Sequence, residues 1–250
     1  MEGTAVQRRL TWLIAEVVDL IEETSRVRSL VLEVTGWEGH KPGQHIDIRL
    51  TAPDGYQAQR SYSIATPSDG ERITITVELV DDGEVSPYLV EEVRRGDRFE
   101  VRGPIGGYFV WEPGEGSPLQ LIGGGSGIVP LMAMIRARAA VGTDEPVRLL
   151  LSARSTEDLI YRSELGALAI DADGLEVVAT LTRSQPPDWS GPSRRVDREM
   201  LDETAFPAAG RPMCFVCGPT GFVETVATAL VDLGHEPERI KTERFGPTGG

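Results

Sequence analysis

Two short stretches of this chain contain the residue types that can hold a phosphorylated aromatic cofactor. One is Arg60-Ser61-Tyr62-Ser63, and the other is the glycine-rich sequence GGGSGI at residues 123–128. An arginine forms charge-assisted, forked hydrogen bonds with phosphate, and a tyrosine ring offers a flat face to an aromatic ring system. A glycine-rich turn between a strand and a helix is a common seat for a pyrophosphate. In this order, the two stretches indicate a flavin in the first half of the chain and a dinucleotide in the second.

The first stretch lies among short predicted strands that extend over residues 11–110. Apolar and polar side chains alternate in residues 46–50 and 73–79, which is the pattern of half-buried strands. Several short strands separated by turn signals predict a small antiparallel barrel. One short helix is expected within this region, with Ser86 as its N-cap and Pro87 at its first helical position.

The pattern changes after the linker-like sequence EPGEGSP at residues 112–118. From there, predicted strands alternate with predicted helices, which gives a parallel sheet with helices on both faces. The chain is therefore predicted to consist of a barrel domain at residues 1–113 and an α/β domain at residues 114–250. The predicted strands of the second domain are residues 119–122, 147–151, 177–181, 213–216 and 240–245.

Composition excludes several classes of function. The chain has 250 residues and a formal net charge of −14, which argues against a nucleic-acid partner because such a partner needs a basic face. No apolar run approaches a membrane span, and the first ten residues lack the apolar stretch of a secretory signal, so a cytoplasmic location is expected. The three histidines have no metal-binding spacing, so no metal is expected.

The chain has only two cysteines, Cys214 and Cys217. Two are too few for a disulfide framework or for an in-chain iron–sulfur cluster. Their C-x-x-C spacing is typical of a redox pair. However, Cys214 falls within a predicted strand, where alternation directs its side chain away from Cys217 or buries it.

A second anion-binding site is predicted near the Arg60 stretch. Gly83-Glu84-Val85-Ser86 is a glycine turn that leads into the short helix, whose free N–H groups and dipole favour an anion. A diphosphate at this point fits FAD better than FMN. The alternative interpretation is that Ser86 and Pro87 only cap the helix.

Taken in order, the motifs of the chain resemble those of the ferredoxin–NADP reductase family. They are Arg60-Ser61-Tyr62-Ser63, Gly83-Glu84-Val85-Ser86, GPIGG at residues 103–107, residues 123–130, Cys217-Gly218-Pro219 and Glu243-Arg244-Phe245. The resemblance covers nearly the whole chain. It implies a six-stranded antiparallel β-barrel that binds flavin, followed by an α/β domain with a parallel sheet that binds a nicotinamide nucleotide.

The resemblance also implies which residues touch the flavin. One predicted strand contacts the flavin ring and its phosphate, and the Gly83 turn contacts the diphosphate. Further contacts come from the strand before that turn and from the glycine-rich loop of the second domain. These residues are Arg60, Ser61, Tyr62, Ser63, Thr76, Glu78, Gly83, Glu84, Val85, Ser86 and Ser126.

Four residues are implied to act in the reaction itself. By the resemblance, Cys217 lies beside the nicotinamide ring, with Gly218 and Pro219 forming the turn after it. Phe245 covers the second face of the flavin, and Glu243 lies near Ser63 as a proton carrier. The chain differs from plant-type members in having Phe rather than Tyr at position 245 and in continuing for five residues beyond it.

Charge near the strand ends bears on the choice of nucleotide. Gly124, Gly125 and Gly127 lack side chains where a pyrophosphate must approach the backbone. An acid at the end of the second strand of the α/β domain would favour NADH, whereas this strand is followed by Arg154.

The next strand ends at Thr182-Arg183, where similar reductases hold the 2′-phosphate, and Arg195 offers a further contact. NADPH is therefore expected rather than NADH. The alternative is that the three arginines are solvated loop charges.

These features predict a flavoprotein reductase that takes hydride from NADPH onto FAD and passes electrons to a separate redox partner, such as a ferredoxin or an oxygenase component. Arg94, Arg95, Arg98 and Arg102 are candidates for a basic docking patch. One alternative is a reductase of free flavin or quinone, which needs no docking face. Another is a non-catalytic electron-transfer subunit of a larger complex.

Overall fold

The computed structural model describes residues 10–171 and 174–246. Of the five residues that follow Phe245, those from Pro247 onward lie outside the described range. The first half of the chain forms one antiparallel sheet, in the order β4-β3-β6-β1-β2-β5. Its strands are β1 (Leu13–Thr24), β2 (Val27–Val34), β3 (His45–Thr51), β4 (Gln57–Ser63), β5 (Arg72–Glu78) and β6 (Arg98–Ile105).

The sheet curls into a barrel because its two outermost strands also meet. An isolated bridge joins Ile64, just after β4, to Ile75 on β5. The alternation predicted from the sequence is confirmed, since Ile46 and Ile48 of β3 and Ile73 of β5 are all fully buried in one apolar cluster. The six-stranded antiparallel barrel is therefore confirmed.

The predicted cap of the short helix is wrong. The helix is a five-residue π-helical turn, Tyr88–Glu92, with Pro87 at the N-cap and no capping side chain. Ser86 instead accepts a hydrogen bond at Oγ from the backbone N–H of Val80, at 3.1 Å. The hydroxyl is drawn away from the helix because the turn after β5 folds back on itself and presents that N–H to it.

The second half of the chain forms a parallel sheet, in the order β11-β10-β7-β8-β9. The strands are β7 (Leu119–Gly124), β8 (Val147–Ala153), β9 (Leu175–Leu181), β10 (Met213–Pro219) and β11 (Ile240–Phe245). In the described part of the chain, they are accompanied by the α-helices α1 (Ile128–Val141), α2 (Arg162–Asp171), α3 (Arg198–Thr204) and α4 (Thr220–Asp232). The predicted α/β architecture is confirmed.

The connections of this sheet place a crevice at its centre. The chain adds β8 and β9 on one side of β7 and then crosses to add β10 and β11 on the other side. The strand order therefore reverses between β7 and β10, and ligands of open α/β sheets bind beyond the carboxyl ends of the strands at such a point. The two cysteines of β10 are both buried but in different apolar clusters, as strand alternation predicts.

A buried polar cluster connects the barrel to the α/β domain. Arg136 of α1 donates from Nη1 to the carbonyl of Ala65 at 2.7 Å, and its guanidinium lies 4.7 Å from the ring centroid of Tyr161. The Tyr161 hydroxyl in turn shares a hydrogen bond with Thr76 of β5. Arg136 is fixed from behind by Glu164, which accepts two hydrogen bonds at 2.8 and 2.6 Å. These contacts set how the barrel faces the parallel sheet.

Candidate functional site

A cleft of about 290 Å³ lies between the barrel and the carboxyl edge of the parallel sheet. Many residues expected to bind cofactors are in its lining: Glu78, Gly124, Gly125, Ser126, Arg154, Thr182, Pro219 and Phe245. The other eight lining residues were not expected from the sequence: Thr24, Arg26, Val27, Ser152, Ala153, Asp158, Ile160 and Phe222. The first two come from the β1–β2 hairpin, which a strand prediction alone does not place near the nucleotide loop.

The glycine-rich loop is shaped by two backbone requirements. Gly125 has a φ of +56°, a conformation that favours glycine, and it starts the 3-10 turn Gly125–Gly127 that leads into α1. Gly127 lies directly against the end of β10, so that a Cβ placed on it would lie only 2.1 Å from the carbonyl oxygen of Cys217. Only glycine at position 127 therefore allows the loop to pack this closely against β10. This packing places the N-terminus of α1 at the cleft.

Residues from both domains meet at the inner end of this crevice. Cys217 of β10 and Glu243 of β11 are neighbours in the strand register. Across the domain boundary, Glu243 Oε1 lies 3.8 Å from Nδ1 of His45, and His45 pairs with Ser63 on the adjacent barrel strand. The structure thus places Ser63 and Glu243 beside His45, with Cys217 on the strand next to Glu243. No functional role of His45 was predicted from the sequence.

The ionisable groups of this cluster are biased toward their neutral forms. Burial raises the pKa of Glu243 to about 7, and Oε2 of Glu243 is buried without a hydrogen-bond partner. Burial also lowers the pKa of His45. The pKa of the Cys217 thiol is raised well above its ordinary value by burial and, secondarily, by the charge of Glu243. Cys217 is therefore a neutral thiol, and Glu243 exchanges its proton near neutral pH.

We expect Glu243→Gln to change the pH dependence of stability. The folded-state pKa of Glu243 is raised from 4.5 to about 7, so its stabilising contribution is complete below pH 4.5 and is lost as the pH rises through 7. The variant should therefore gain stability relative to the wild-type protein by on the order of 2–3 kcal/mol between pH 4.5 and pH 8.

Urea unfolding followed at the two pH values measures this difference. Glu238→Gln is a matched control because Glu238 is exposed in the turn just before β11. If both variants show the same pH dependence as the wild-type protein, Glu243 is not titrating in the folded state near neutral pH.

On the barrel, the predicted phosphate ligand Arg60 projects from β4 into solvent. Its Nη2 lies 2.9 Å from Glu84 Oε2, and the Tyr56 hydroxyl donates to Glu84 Oε1 at 2.5 Å. The neighbouring Ser61 donates to Asp47 at 2.7 Å. Tyr62 is half-buried against the barrel core, and this burial raises the pKa of its phenol. One cation and one aromatic ring therefore stand on the same strand.

The Gly83 turn can provide hydrogen-bond donors from its backbone rather than from its side chains. The side chain of Val85 is fully buried in the barrel core, and that of Ser86 is held by Val80. In the part of the chain that the structure describes, the backbone N–H groups of Glu84, Val85 and Ser86 have no hydrogen-bond acceptor within the protein. Three amides beside a guanidinium form a donor set that fits a diphosphate.

Thr76 is one of the residues that the resemblance implies to contact the flavin. It is almost fully buried and makes its hydrogen bonds with Ser29, at 2.7 Å, and with Tyr161. Its neighbour on the same strand, Glu78, does line the cleft.

The four residues expected to recognise the nucleotide phosphate are divided by the fold. Arg154 and Thr182 line the cleft, and the hydroxyl of Thr182 donates to the carbonyl of Ala153 at 3.1 Å. Arg183 and Arg195 are exposed and are not among the described residues that line it. Asp158 faces the same cleft and accepts a hydrogen bond from Ser155 at 2.9 Å. The lining of the cleft therefore includes two carboxylates, Glu78 and Asp158, beside the two cations Arg26 and Arg154.

Three of the four arginines that suggested a basic patch at residues 94–102 are paired with acids. Arg95 lies 3.5 Å from Asp19, Arg98 lies 2.5 Å from Glu16, and Arg102 lies 2.6 Å from Asp47. The fourth, Arg94, donates to two backbone carbonyls. The pairs of Arg98 and Arg102 join strands that are adjacent in the sheet, which the sequence pattern did not reveal.

The described residues include neither a membrane-spanning helix nor a metal-binding cluster. No helix among them combines the length and the apolar character needed to cross a membrane. Nor does that part of the chain hold a group of three or more His, Cys, Asp or Glu side chains arranged to bind a metal ion.

Comparison with known proteins agrees with the geometry of both halves. Residues 15–110 match the oxidoreductase FAD-binding domain, and residues 121–228 match the oxidoreductase NAD-binding domain. The chain is 34% identical to ferredoxin–NADP reductase B of Sorangium cellulosum strain So ce56, over 81% of this chain and 84% of that protein. It is 27% identical to the reductase component of the naphthalene 1,2-dioxygenase system of Pseudomonas putida, over 93% of this chain and 69% of that protein.

A solved structure has the same fold over nearly its whole length. The FAD/NAD-binding domain of a nitric oxide dioxygenase from Vibrio cholerae O1 biovar El Tor superimposes with a TM-score of 0.83 at 27% identity, covering 94% of this chain and 99% of that chain. Some relatives are longer: this chain spans 58% of a flavohemoprotein of Deinococcus radiodurans and 57% of a glycine betaine monooxygenase reductase subunit of Pseudomonas aeruginosa.

The fold and the cleft define an oxidoreductase that binds FAD and a nicotinamide nucleotide. The chain belongs to the ferredoxin–NADP reductase family.

Proposed function

We propose that this chain is an NADPH-dependent reductase that passes electrons through FAD to a separate redox protein. The observation that carries the proposal is the cleft itself, where the barrel surface bearing Glu78 faces the glycine loop and strand ends of the parallel sheet. When bound, FAD accepts a hydride from the nicotinamide and releases its electrons one at a time. We further propose that the division between the two domains falls after residue 113 and that the protein is cytoplasmic.

The residues of the chain divide this work between binding and proton supply. Arg60 and the amides of the Gly83 turn would hold the diphosphate of FAD, and Tyr62 would pack against its ring. The loop from Gly124 to Gly127 and the N-terminus of α1 would hold the nucleotide pyrophosphate. Glu243, whose pKa burial raises to about 7, would supply a proton beside Ser63 and Cys217. Phe245, in the lining of the cleft, would exclude water.

The preference for NADPH rests on Arg154 and Thr182, which line the cleft together. NADH is the second candidate, and Asp158 favours it because a carboxylate in the same cleft would repel a 2′-phosphate and accept a hydrogen bond from a 2′-hydroxyl. Arg183 and Arg195 stay as proposed secondary contacts.

We expect Arg154→Ala to weaken NADPH binding by about 10- to 150-fold while changing NADH binding little, because a charge-assisted contact to phosphate contributes roughly 1.5–3 kcal/mol. Asp158→Asn should improve NADPH binding. Stopped-flow reduction of the bound flavin at varied nucleotide concentration measures both affinities. If Arg154→Ala weakens both nucleotides equally, or if the wild-type protein prefers NADH, then Arg154 does not recognise the 2′-phosphate.

For the acceptor, we propose a ferredoxin or an oxygenase component. This proposal is supported by relatives described as ferredoxin–NADP reductase B and as reductase components of oxygenase systems. The acid-paired arginines of residues 94–102 leave open two other functions, reduction of free flavin or quinone and electron transfer without catalysis within a larger complex.

The deciding experiment has two stages. The purified full-length chain, supplied with FAD, should be yellow and should lose its flavin absorption when NADPH is added without oxygen. Turnover is then compared between an added ferredoxin and free FMN. A protein that stays colourless after addition of FAD refutes the proposal, and turnover with free FMN alone selects the free-flavin alternative.

A further inference from the structure

The phosphate ligand Arg60 is already paired with an acid of the same site. Arg60 Nη2 lies 2.9 Å from Glu84 Oε2, and the other carboxylate oxygen accepts the Tyr56 hydroxyl at 2.5 Å. Hydrogen bonds from Tyr56 and then from Arg60 lower the pKa of Glu84, so it is ionised at neutral pH. The side chains of Arg60 and Glu84 are about half exposed, at 53% and 46%, so neither is locked in place by packing.

Glu84 also belongs to the turn that offers three backbone amides. An anion bound by the amides of Glu84, Val85 and Ser86 has the Glu84 carboxylate beside it and needs Arg60 as its counter-charge. The carboxylate acts against such an anion in two ways: it repels it directly, and it occupies the guanidinium.

We propose that Glu84 competes with the diphosphate of FAD for Arg60 and thereby makes FAD binding by this chain weaker at low salt, and less dependent on salt, than it would be with the donor set alone. The inference rests on the proposed binding of FAD. Tyr56 modulates the competition because its hydroxyl shares the charge of Glu84, so removing that hydroxyl strengthens the hold of Glu84 on Arg60.

The magnitude follows from exposed charges. Because the side chains of Glu84 and Arg60 are about half exposed, both their ion pair and the repulsion by Glu84 are weakened by water, so the loss of the Glu84 charge should tighten FAD by only about fivefold. Salt screens both effects, and the gain should shrink at high ionic strength.

The experiment titrates the full-length chain with FAD and follows quenching of the flavin fluorescence at low and high salt. We expect Glu84→Gln to lower the Kd about fivefold at low salt and less at high salt. Tyr56→Phe, which keeps an aromatic ring, should raise the Kd two- to threefold in the wild-type background and should have no effect in the Glu84→Gln background. Glu16→Gln is the matched control, because Glu16 forms a comparable exposed pair with Arg98 on other strands.

The outcomes separate this inference from the proposal it rests on. If FAD binds the wild-type chain but Glu84→Gln leaves the Kd unchanged or raises it, the competition is refuted and Glu84 instead positions Arg60. A Tyr56→Phe effect that persists in the Glu84→Gln background also refutes it. If no variant binds FAD at all, the proposed function itself fails.

Discussion

Gly127→Ala is expected to slow nucleotide-dependent reduction of the flavin by about a hundredfold and to lower the free energy of unfolding by roughly 1–3 kcal/mol. The added methyl group would lie 2.1 Å from the carbonyl oxygen and 2.5 Å from the carbonyl carbon of Cys217. Both are backbone atoms of β10, so no side-chain rotation relieves the clash. The N-terminus of α1 must then move away from β10, which displaces the nucleotide loop from Cys217.

Because of the backbone conformation of Gly127, this substitution tests steric overlap alone. Its φ of −61° and ψ of −12° are helical, so alanine adds no conformational strain there. The measurements are stopped-flow flavin reduction and urea unfolding. Gly166→Ala is the control, because a Cβ at this helical position in α2 meets nothing within 4 Å and should stabilise the protein slightly. A Gly127→Ala protein that reduces flavin at the wild-type rate would show that α1 and β10 need not approach so closely.

The second large effect is expected for Arg136→Met, which should lower the free energy of unfolding by about 3 kcal/mol. The substitution leaves Glu164 without its forked partner and the carbonyl of Ala65 without its donor. It also removes the cation above the ring of Tyr161. Since these contacts join α1 to the barrel, we expect the barrel and the α/β domain to lose their fixed orientation.

A readout of orientation separates this role from general instability. When nicotinamide and flavin stack, a charge-transfer absorption band is expected, and it should be weaker in Arg136→Met even where the protein remains folded and holds FAD. Arg211→Met is the control, because Arg211 forms an ion pair with Glu236 at 3.0 Å and its side chain is 65% exposed. Such a surface pair should contribute less than about 1 kcal/mol. Equal, small losses in both variants would contradict the role of Arg136.

Patterns local in the sequence predicted the two sheets and half of the residues that line the cleft. Strand alternation gave the barrel interior, and strand–helix alternation gave the parallel sheet, because both follow from the periodicity of the backbone. The glycine-rich loop was predicted to lie between a strand and a helix, and Gly124 and Gly125 do line the cleft. The N-cap role of Ser86 failed because a nearby backbone N–H competed for its hydroxyl.

Contacts between distant segments were not predictable in this way. The Arg60–Glu84 pair joins residues 24 apart in the chain, and the Thr76–Tyr161 pair joins residues 85 apart. Asp158 and Phe222 carry no motif, and only the packing of their segments brings them to the cleft. The periodicity of the sequence carries no information about such contacts between distant segments.

The alternation of side chains along this sequence determined the fold class. The order of its motifs determined the presence of a flavin-binding site and a nucleotide-binding site. The tertiary structure alone decided which charges meet: that Glu84 holds Arg60, that Arg154 shares the cleft with Asp158, and that Glu243 is buried beside His45. The reason is that propensity and periodicity act over a few residues. The charge environment of a group depends on strand register and domain packing, which bring together residues far apart in the chain.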